Sequence, residues 1–495
     1  MIPSVSSTRS RRPSGASPGP DATPSRRRDA GELAQLTSLQ ARNRRETGSD
    51  YEVPESYLNL PEVGDVSAIQ DRNQLSDLDS CSIEGLASRL RSDEETPQKR
   101  DSLAKRQQPH VPPIQPPETE AGIALSKSAT EFYTVSYLIL FAIFGTLARL
   151  GLQALTFYPG APISFSSVWP NFAGSLIMGF LTEDRMLFRY ERGSTESYSQ
   201  QLAKLKKDEE AGSPDSQRIA QDLAAAKKAH LAVKKTIPLY IGLTTGFCGS
   251  FTSFSSFIRD IFLALSNDSP MPDGVATPRN GGYSFLALLA VTIGTVSLSF
   301  AGFHVGAHLA EALEPAVPSL RYPLSRRVID PLAVVLGWGS WIGAVVLSIV
   351  PPDRHNNPGA SEFWRGRATF ALVFAPLGCL ARFYASARLN GRLAAFPLGT
   401  FVVNVAGTVV LGLAWDLAHV PEGDVIGCQV LQGIEDGFCG CLTTVSTWIL
   451  ELAVIGRRKA YIYGGASVAS ALVLMLAIMG GLRWSQGFSD LLCVH

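Results

Sequence analysis

The sequence predicts an all-α polytopic membrane protein. Its plan is two inverted four-helix repeats joined by one inverting transmembrane helix, nine spans in total. Three observations predict this. From Phe132 onward the chain is mostly apolar runs of bilayer length separated by short polar loops. A set of Gly, Arg, Asn and Thr motifs occurs twice in the same order. One apolar run, 328–350, stands alone between the two copies.

The first 131 residues read as a disordered cytosolic tail. They are rich in Ser, Pro, Arg, Gln and Asp, with few aromatics, and cannot bury enough apolar surface to offset their ordering entropy. The 44 basic and 44 acidic residues cancel, but that zero net charge sums over unlike parts and says little about partners. No apolar core follows the first charges, so no cleavable signal peptide is expected. Arginine clusters at Arg9, Arg11, Arg12 and 26–28 could bind nucleic acid. On a tail attached to a membrane domain they read instead as a solvated segment, with no nucleic-acid partner.

The spans run roughly 133–155, 164–183, 236–265, 283–305, 328–350, 368–388, 396–418, 425–455 and 459–482. Each approaches the ~20 residues that a bilayer requires. The third and eighth are longer, which fits helices interrupted midway. The interruptions are Gly246–Phe257, GFCGSFTSFSSF, and Gly437–Trp448, GFCGCLTTVSTW. Paired glycines with clustered hydroxyls are tolerated at membrane depth where broken backbone faces protein or an aqueous path. A small-residue packing face between helices is the alternative. The long charged loop 184–235 reads as a soluble helical hairpin at the membrane surface.

The repeat follows from the spacing. Gly145–Arg149 (GTLAR) recurs as Gly378–Arg382 (GCLAR), and Asn171 with Gly174 and Gly179 recurs as Asn404 with Gly407 and Gly412. Both offsets are 233 residues (149 to 382, 171 to 404), and the offset falls to 191 at the break (246 to 437). An insertion of the 184–235 loop in the first copy alone accounts for the difference. The domains are therefore a first repeat at 132–306, a linker at 307–365 carrying the inverting helix, a second repeat at 366–484, and a C-terminal segment at 485–495. Lys and Arg crowd 184–235, 321–327, 388–392 and 457–459, whereas 156–166 and 417–425 have none and 266–281 has one. The positive-inside rule then puts the N-terminus in the cytosol and the C-terminus outside. Arg354, Arg365 and Arg367 dissent and are outvoted.

An odd number of spans between direct copies inverts the second. Inverted repeats place a substrate path at their pseudo-two-fold interface near the midplane, often with discontinuous helices. Asn171 and Asn404 are polar groups in apolar spans, facing either such a path or an interhelical hydrogen bond. Thr252, Ser253, Ser255 and Ser256, with Thr443, Thr444, Ser446 and Thr447, supply hydroxyl donors. Phe254 and Phe257 lie one turn apart and could present positive ring edges, or simply pack against lipid and core. Weak donors without formal charge suit a small, strongly hydrated anion that must also leave. Carbonyls unwound near Gly249, Thr252, Gly440 and Thr443 could bind a cation such as sodium where two such sets meet.

GxxxR in the first span, NxxGxxxxG in the second and GFCG with a hydroxyl-rich run in the third resemble the fluoride channel family. That family comprises bacterial Fluc (CrcB-type) dual-topology dimers and fungal exporters that fuse two copies through one helix. The resemblance covers about 133–482. It implies passive, selective fluoride export across the plasma membrane by a single chain acting as a pseudo-dimer in the lipid bilayer. It implies a fluoride pathway through Asn171, Asn404, Phe254, Phe257, Ser255 and Ser446, with Ser299 and Ser467 from the fourth helices. It also implies a central structural sodium ion held by the carbonyls of Gly249, Thr252, Gly440 and Thr443. The family typically reads TTFSTF here, but the second copy has Val445 and Trp448 at the phenylalanine positions. One competent and one degenerate pore are therefore expected.

Other classes fare less well. A proton-coupled transporter needs an acidic group within a span, and Glu435 and Asp436 just before the second break are what keep that reading alive. An enzyme would need a nucleophile–base or metal constellation at bilayer depth, and His304 with His308 lacks a third ligand. The seven cysteines are scattered and read as buried small residues. Arg149 and Arg382, near their span ends, read as structural anchors to carbonyls or as snorkelling groups.

Overall fold

Every described element is a helix, as the apolar runs require: at membrane depth a helix satisfies its own backbone. The computed structural model describes Tyr57 and residues 126–163, 165–188, 234–270, 279–320, 324–350, 365–393, 395–421 and 424–493. Most of the expected tail, most of the 184–235 hairpin and parts of the 307–365 linker lie outside the described residues. Within the tail, 127–131 are helical and Tyr57 is buried edge-on against Phe383 at 5.2 Å, a correction to the disorder expected there. The order is α1 (Lys127–Thr156), α2 (Val168–Glu183), α3 (Phe254–Ser266), α4 (Gly281–Ala312), α5 (Asp330–Ile349), α6 (Ala371–Leu389), α7 (Leu398–Ala418), α8 (Val425–Gly433), α9 (Ser446–Val454) and α10 (Arg457–Ser485). Short helical and π-helical pieces precede α3, α5, α6 and α9.

Among the described residues seven helical stretches are long and apolar enough to cross a membrane. The expected spans at 164–183 and 236–265 are not among those seven. The first is the 16-residue α2, and the second is broken into pieces ending in α3.

Polar side chains start and stop the helices. Ser126 accepts from Ala129 N at the start of α1, and Asn280 accepts from Tyr283 N at 2.9 Å to open α4. Asn267 closes α3 in the left-handed conformation, φ 67°. Lys234, fully buried, donates to the carbonyls of Leu181, Thr182 and Asp184 and so caps the end of α2.

The helices pack closest where glycine permits. On α4, a Cβ at Gly302 would sit 2.7 Å from the Phe172 carbonyl, and Gly179 of α2 meets the Phe303 carbonyl. The linking helix α5 faces outward with Val335, Ile342 and Ile349 exposed, the surface expected toward lipid. It is tied inward by Tyr137 donating to Asp330 (2.7 Å), Trp338 to Ser136 (3.1 Å) and Trp341 to the Val373 carbonyl (2.9 Å).

One cysteine expectation is corrected. Cys428 at the start of α8 and Cys493 beyond α10 form a disulfide across 65 residues. Cys248, Cys379, Cys439 and Cys441 are free and buried. The residues after α10 fold back: Ser489 N donates to the His419 carbonyl, and the Phe488 ring packs on Phe262, Trp415 and His419.

Candidate functional site

The two interrupted helices meet at the centre. In the first, Pro238–Ile241 leads into a π-helical stretch, Gly242–Cys248, and one more turn, Gly249–Phe251. The chain then extends at Thr252 (φ −91°, ψ 153°) and Ser253 before α3 begins. In the second, Ile434–Cys439 is π-helical, Gly440–Leu442 follows, and Thr443 extends with φ −94°, ψ 153° ahead of α9. Gly249 and Gly440 themselves remain helical, so unwinding begins three residues later than the glycines suggested. Their lack of a side chain serves another end: Gly249 abuts the Arg382 guanidinium and Gly440 that of Arg149.

A buried break must satisfy its freed backbone. Asn171 Oδ1 accepts from Ser253 N at 2.9 Å, and its Nδ2 donates to the Ser253 carbonyl at 3.4 Å. Asn404 does the same to Thr444, at 2.9 and 3.1 Å. Both asparagines, fully buried, are engaged in interhelical hydrogen bonds within their own half.

The threonines act across the halves. Thr252 Oγ1 accepts from Val445 N (3.2 Å) and Ser446 N (3.1 Å), capping the start of α9. Thr443 Oγ1 accepts from Ser255 N at 3.0 Å, capping α3. Ser255 Oγ lies 3.0 Å from Thr443 Oγ1, and Ser446 Oγ 3.1 Å from Thr252 Oγ1. Two helix N-termini, each with partial positive charge, therefore converge on one buried hydroxyl cluster.

The arginines lock the same crossing. Arg149 donates to the carbonyl of Ser250 in its own half (2.8 Å) and to that of Asp436 in the other. Arg382 donates to Cys441 in its own half and to Thr245 in the other, both at 2.8 Å. These four acceptors correspond at the 191-residue offset (250 to 441, 245 to 436). Both guanidiniums are buried, which places them as bridges rather than at the interface.

The aromatic groups sit beside this cluster. Phe254 and Phe257 are fully buried and edge-on at 5.8 Å. Trp448 of the other half meets Phe254 edge-on at 5.4 Å. The fourth-helix serines stand apart from the hydroxyl cluster. Ser467 Oγ bonds its own helix at Tyr463 O (2.8 Å), and the buried Ser299 hydroxyl has no hydrogen-bond partner among the described residues. The α3 helix packs against α7 and α10 of the second half as well as α4, while α9 packs against α2 and α4 of the first.

Charged groups surround the centre in places that residue type alone did not reveal. Asp260 accepts from Ser167 N at 2.9 Å; its counterpart Glu451 accepts from Thr400 Oγ1 (2.6 Å) and Tyr463 OH (2.7 Å). The signal was available, since both carboxylates follow their breaks at the same 191-residue offset. Glu435 faces Arg259 at 3.6 Å, and Asp436 offers its backbone carbonyl to Arg149. Near the first break opens a small cleft lined by residues including Lys235, Thr244, Thr245, Arg382 and Thr447. Among the described residues no group of three His, Cys or carboxylate side chains gathers, so His304 and His308 gain no third ligand.

The residues thus define a helical membrane protein with two interrupted helices crossed at its core, each held by an asparagine, an arginine and a threonine. Comparison gives the family. The family model described as CrcB-like protein, Camphor Resistance (CrcB) matches residues 136–306 and again 369–482, and this chain belongs to that family. The chain is 55% identical over 471 residues to Fluoride export protein 1 of Neurospora crassa, covering 90% of this chain and 85% of that protein. It is 31% identical over 378 residues to the Candida albicans protein of the same name, 75% of this chain and 85% of the other. A 114-residue stretch, 22% of this chain, is 37% identical to 90% of Fluoride-specific ion channel FluC 1 of Symbiobacterium thermophilum. No solved structure matches.

Proposed function

We propose that this chain is a fluoride-selective export channel that lowers cytosolic fluoride by passive flow. The observation that carries the reading is the pair of interrupted helices crossed at Thr252 and Thr443, one in each segment that the family model matches. The relatives are named as fluoride export proteins and fluoride-specific channels, which is a non-enzymatic activity. Buried hydroxyls, phenyl edges and helix N-termini offer a small anion several weak donors, and weak binding lets it leave.

The finer reading is a nine-span chain of two inverted repeats, a pseudo-dimer working alone in the plasma membrane. The reciprocal arginine and threonine contacts support it, since each half supplies the other with the same groups. The N-terminus is cytosolic and the C-terminus external. The Cys428–Cys493 disulfide supports that orientation, because both residues lie on the face assigned as external and disulfides persist in oxidising surroundings.

A central sodium ion fits the oxygen set. Ser253 N and Thr444 N are taken by the asparagines, so the Gly249 and Gly440 carbonyls lose their helical donors. Thr252 and Thr443 turn their own carbonyls out of the helix by extending. Carbonyl oxygens suit a hard cation. With two guanidiniums already at Gly249 and Gly440, a monovalent ion adds the least repulsion. Bound there, it would supply a fixed positive charge beside the anion's route.

One pore is competent and the other degenerate. The packing of the phenylalanine helix α3 against α7 and α10, beside its packing on α4, supports a working path through Phe254, Phe257, Asn404 and Ser467. The path with Asn171, Ser299, Val445 and Trp448 is the degenerate one.

Anion efflux from liposomes holding the purified chain, with voltage clamped by a potassium ionophore, tests the reading. Fast fluoride efflux that excludes chloride and needs no proton gradient is expected. Flux only with a proton gradient would favour a coupled transporter, in which Glu435 or Asp436 carries the proton.

A further inference from the structure

Residues lining the cleft beside the first break have sequence counterparts beside the second, and the two sets carry different chemistry. At the 191-residue offset Thr244 corresponds to Glu435, Thr245 to Asp436, and Leu450 to Arg259. The cleft of the first break is lined by Thr244, Thr245 and Leu450. The position matching Leu450 therefore carries a guanidinium, Arg259.

Arg259 is held but not saturated. Its side chain is 12% exposed, Nη1 lies 3.6 Å from Glu435, and Nη2 lies 3.8 Å from Asp260. Both separations exceed hydrogen-bond length. One donor, Nη2, reaches Ser166 Oγ at 3.3 Å, and the buried Nε has no hydrogen-bond partner among the described residues. Trp415 lies under the guanidinium, 5.4 Å from ring centroid to Cζ, with His419 stacked on that indole. Asp260 is already engaged by Ser167 N. A guanidinium carries five N–H donors in a planar fork, so most of its capacity is uncommitted although its charge is neutralised nearby.

We infer that Arg259 forms a small-anion binding site at the outer end of the phenylalanine path, where fluoride leaves the ring edges and meets a charged donor before full hydration. The inference rests on the proposed channel function and its external assignment of this face. Arg259 follows Phe257 by two residues on α3, on the side leading away from the break. The neighbouring Glu435, Asp260 and Asp436 keep the site from trapping the ion, because neutralised charge leaves directional donors without a deep electrostatic well. Leu450 at the corresponding position offers none of this.

The test is the fluoride dependence of current through the full chain in planar bilayers, with equal fluoride on both sides. Arg259→Leu should raise the half-saturating fluoride about fivefold, the factor supplied by one lost hydrogen-bond donor. Arg259→Lys should restore part of the shift. Glu435→Thr, which gives the site its counterpart's residue and leaves Arg259 in place, should lower half-saturation. A purely structural role would change current amplitude and protein yield while leaving half-saturation fixed, and that result would overturn the site. Should Arg259→Leu fail to fold, an unmoved half-saturation in Glu435→Thr would overturn it equally. Absence of fluoride current in the unaltered chain would instead overturn the channel reading.

Discussion

The two breaks agree in everything that holds backbone and differ in what faces away from it. Each has its asparagine on the residue after the extended threonine, that threonine's hydroxyl on the other half's helix and its carboxylate on the following turn. Yet Phe254 corresponds to Val445, Phe257 to Trp448, and the flanking Thr244, Thr245 and Leu450 to Glu435, Asp436 and Arg259. The shared groups are those whose loss would strand buried polar atoms. Among the divergent groups, Phe254, Phe257, Val445 and Trp448 lend the fold no side-chain hydrogen bond, so exchanging them strands nothing.

That division predicts equal stability effects and unequal flux effects. The largest equal effect belongs to the arginines. Arg149→Ala and Arg382→Ala each leave two buried carbonyls without a donor and should each destabilise the chain by about 4 kcal/mol. Thermal unfolding in detergent checks this, and a large difference between the two variants would break the reciprocity.

Next comes a contribution confined to the second half. Replacing Cys493 by Ser removes the Cys428 bridge and should cost about 3 kcal/mol, read as a lower Tm than the parent under non-reducing conditions. Equal Tm values with and without the bridge would mean that the Phe488–Trp415–His419 packing alone holds the segment.

The smallest stability effect separates most sharply in flux. Asn171→Ala and Asn404→Ala each free one backbone N–H and should each cost about 2 kcal/mol. Fluoride efflux per folded channel should fall far more for Asn404→Ala, whose helix α7 packs on the phenylalanine helix. Equal flux losses would argue against one working pore.

Much of this centre was legible in the sequence because it is written twice. A lone Asn171 reads equally as pore lining or as an interhelical bond, and only Asn404 at the same offset marks both as parts of one device. The sequence leaves both roles open; in the structure both amides hydrogen-bond broken backbone. The sequence offers the hydroxyls of Thr252 and Thr443 as donors, but does not show that the same oxygens also accept from, and cap, the opposite helices. That contact joins residues nearly two hundred positions apart, and no periodicity encodes it. The same holds for Arg259 with Glu435 and for Cys428 with Cys493. Neither pair recurs in the other half, so neither spacing nor hydropathy could announce it.

The most direct test of unequal pores is to exchange the divergent aromatic sets and measure fluoride efflux from liposomes. Phe254→Val with Phe257→Trp gives the first break the side chains of the second, and Val445→Phe with Trp448→Phe does the converse. Two unequal pores predict that the first exchange abolishes efflux while the second leaves it intact or raises it. Efflux reduced to the same extent by both exchanges would contradict the account.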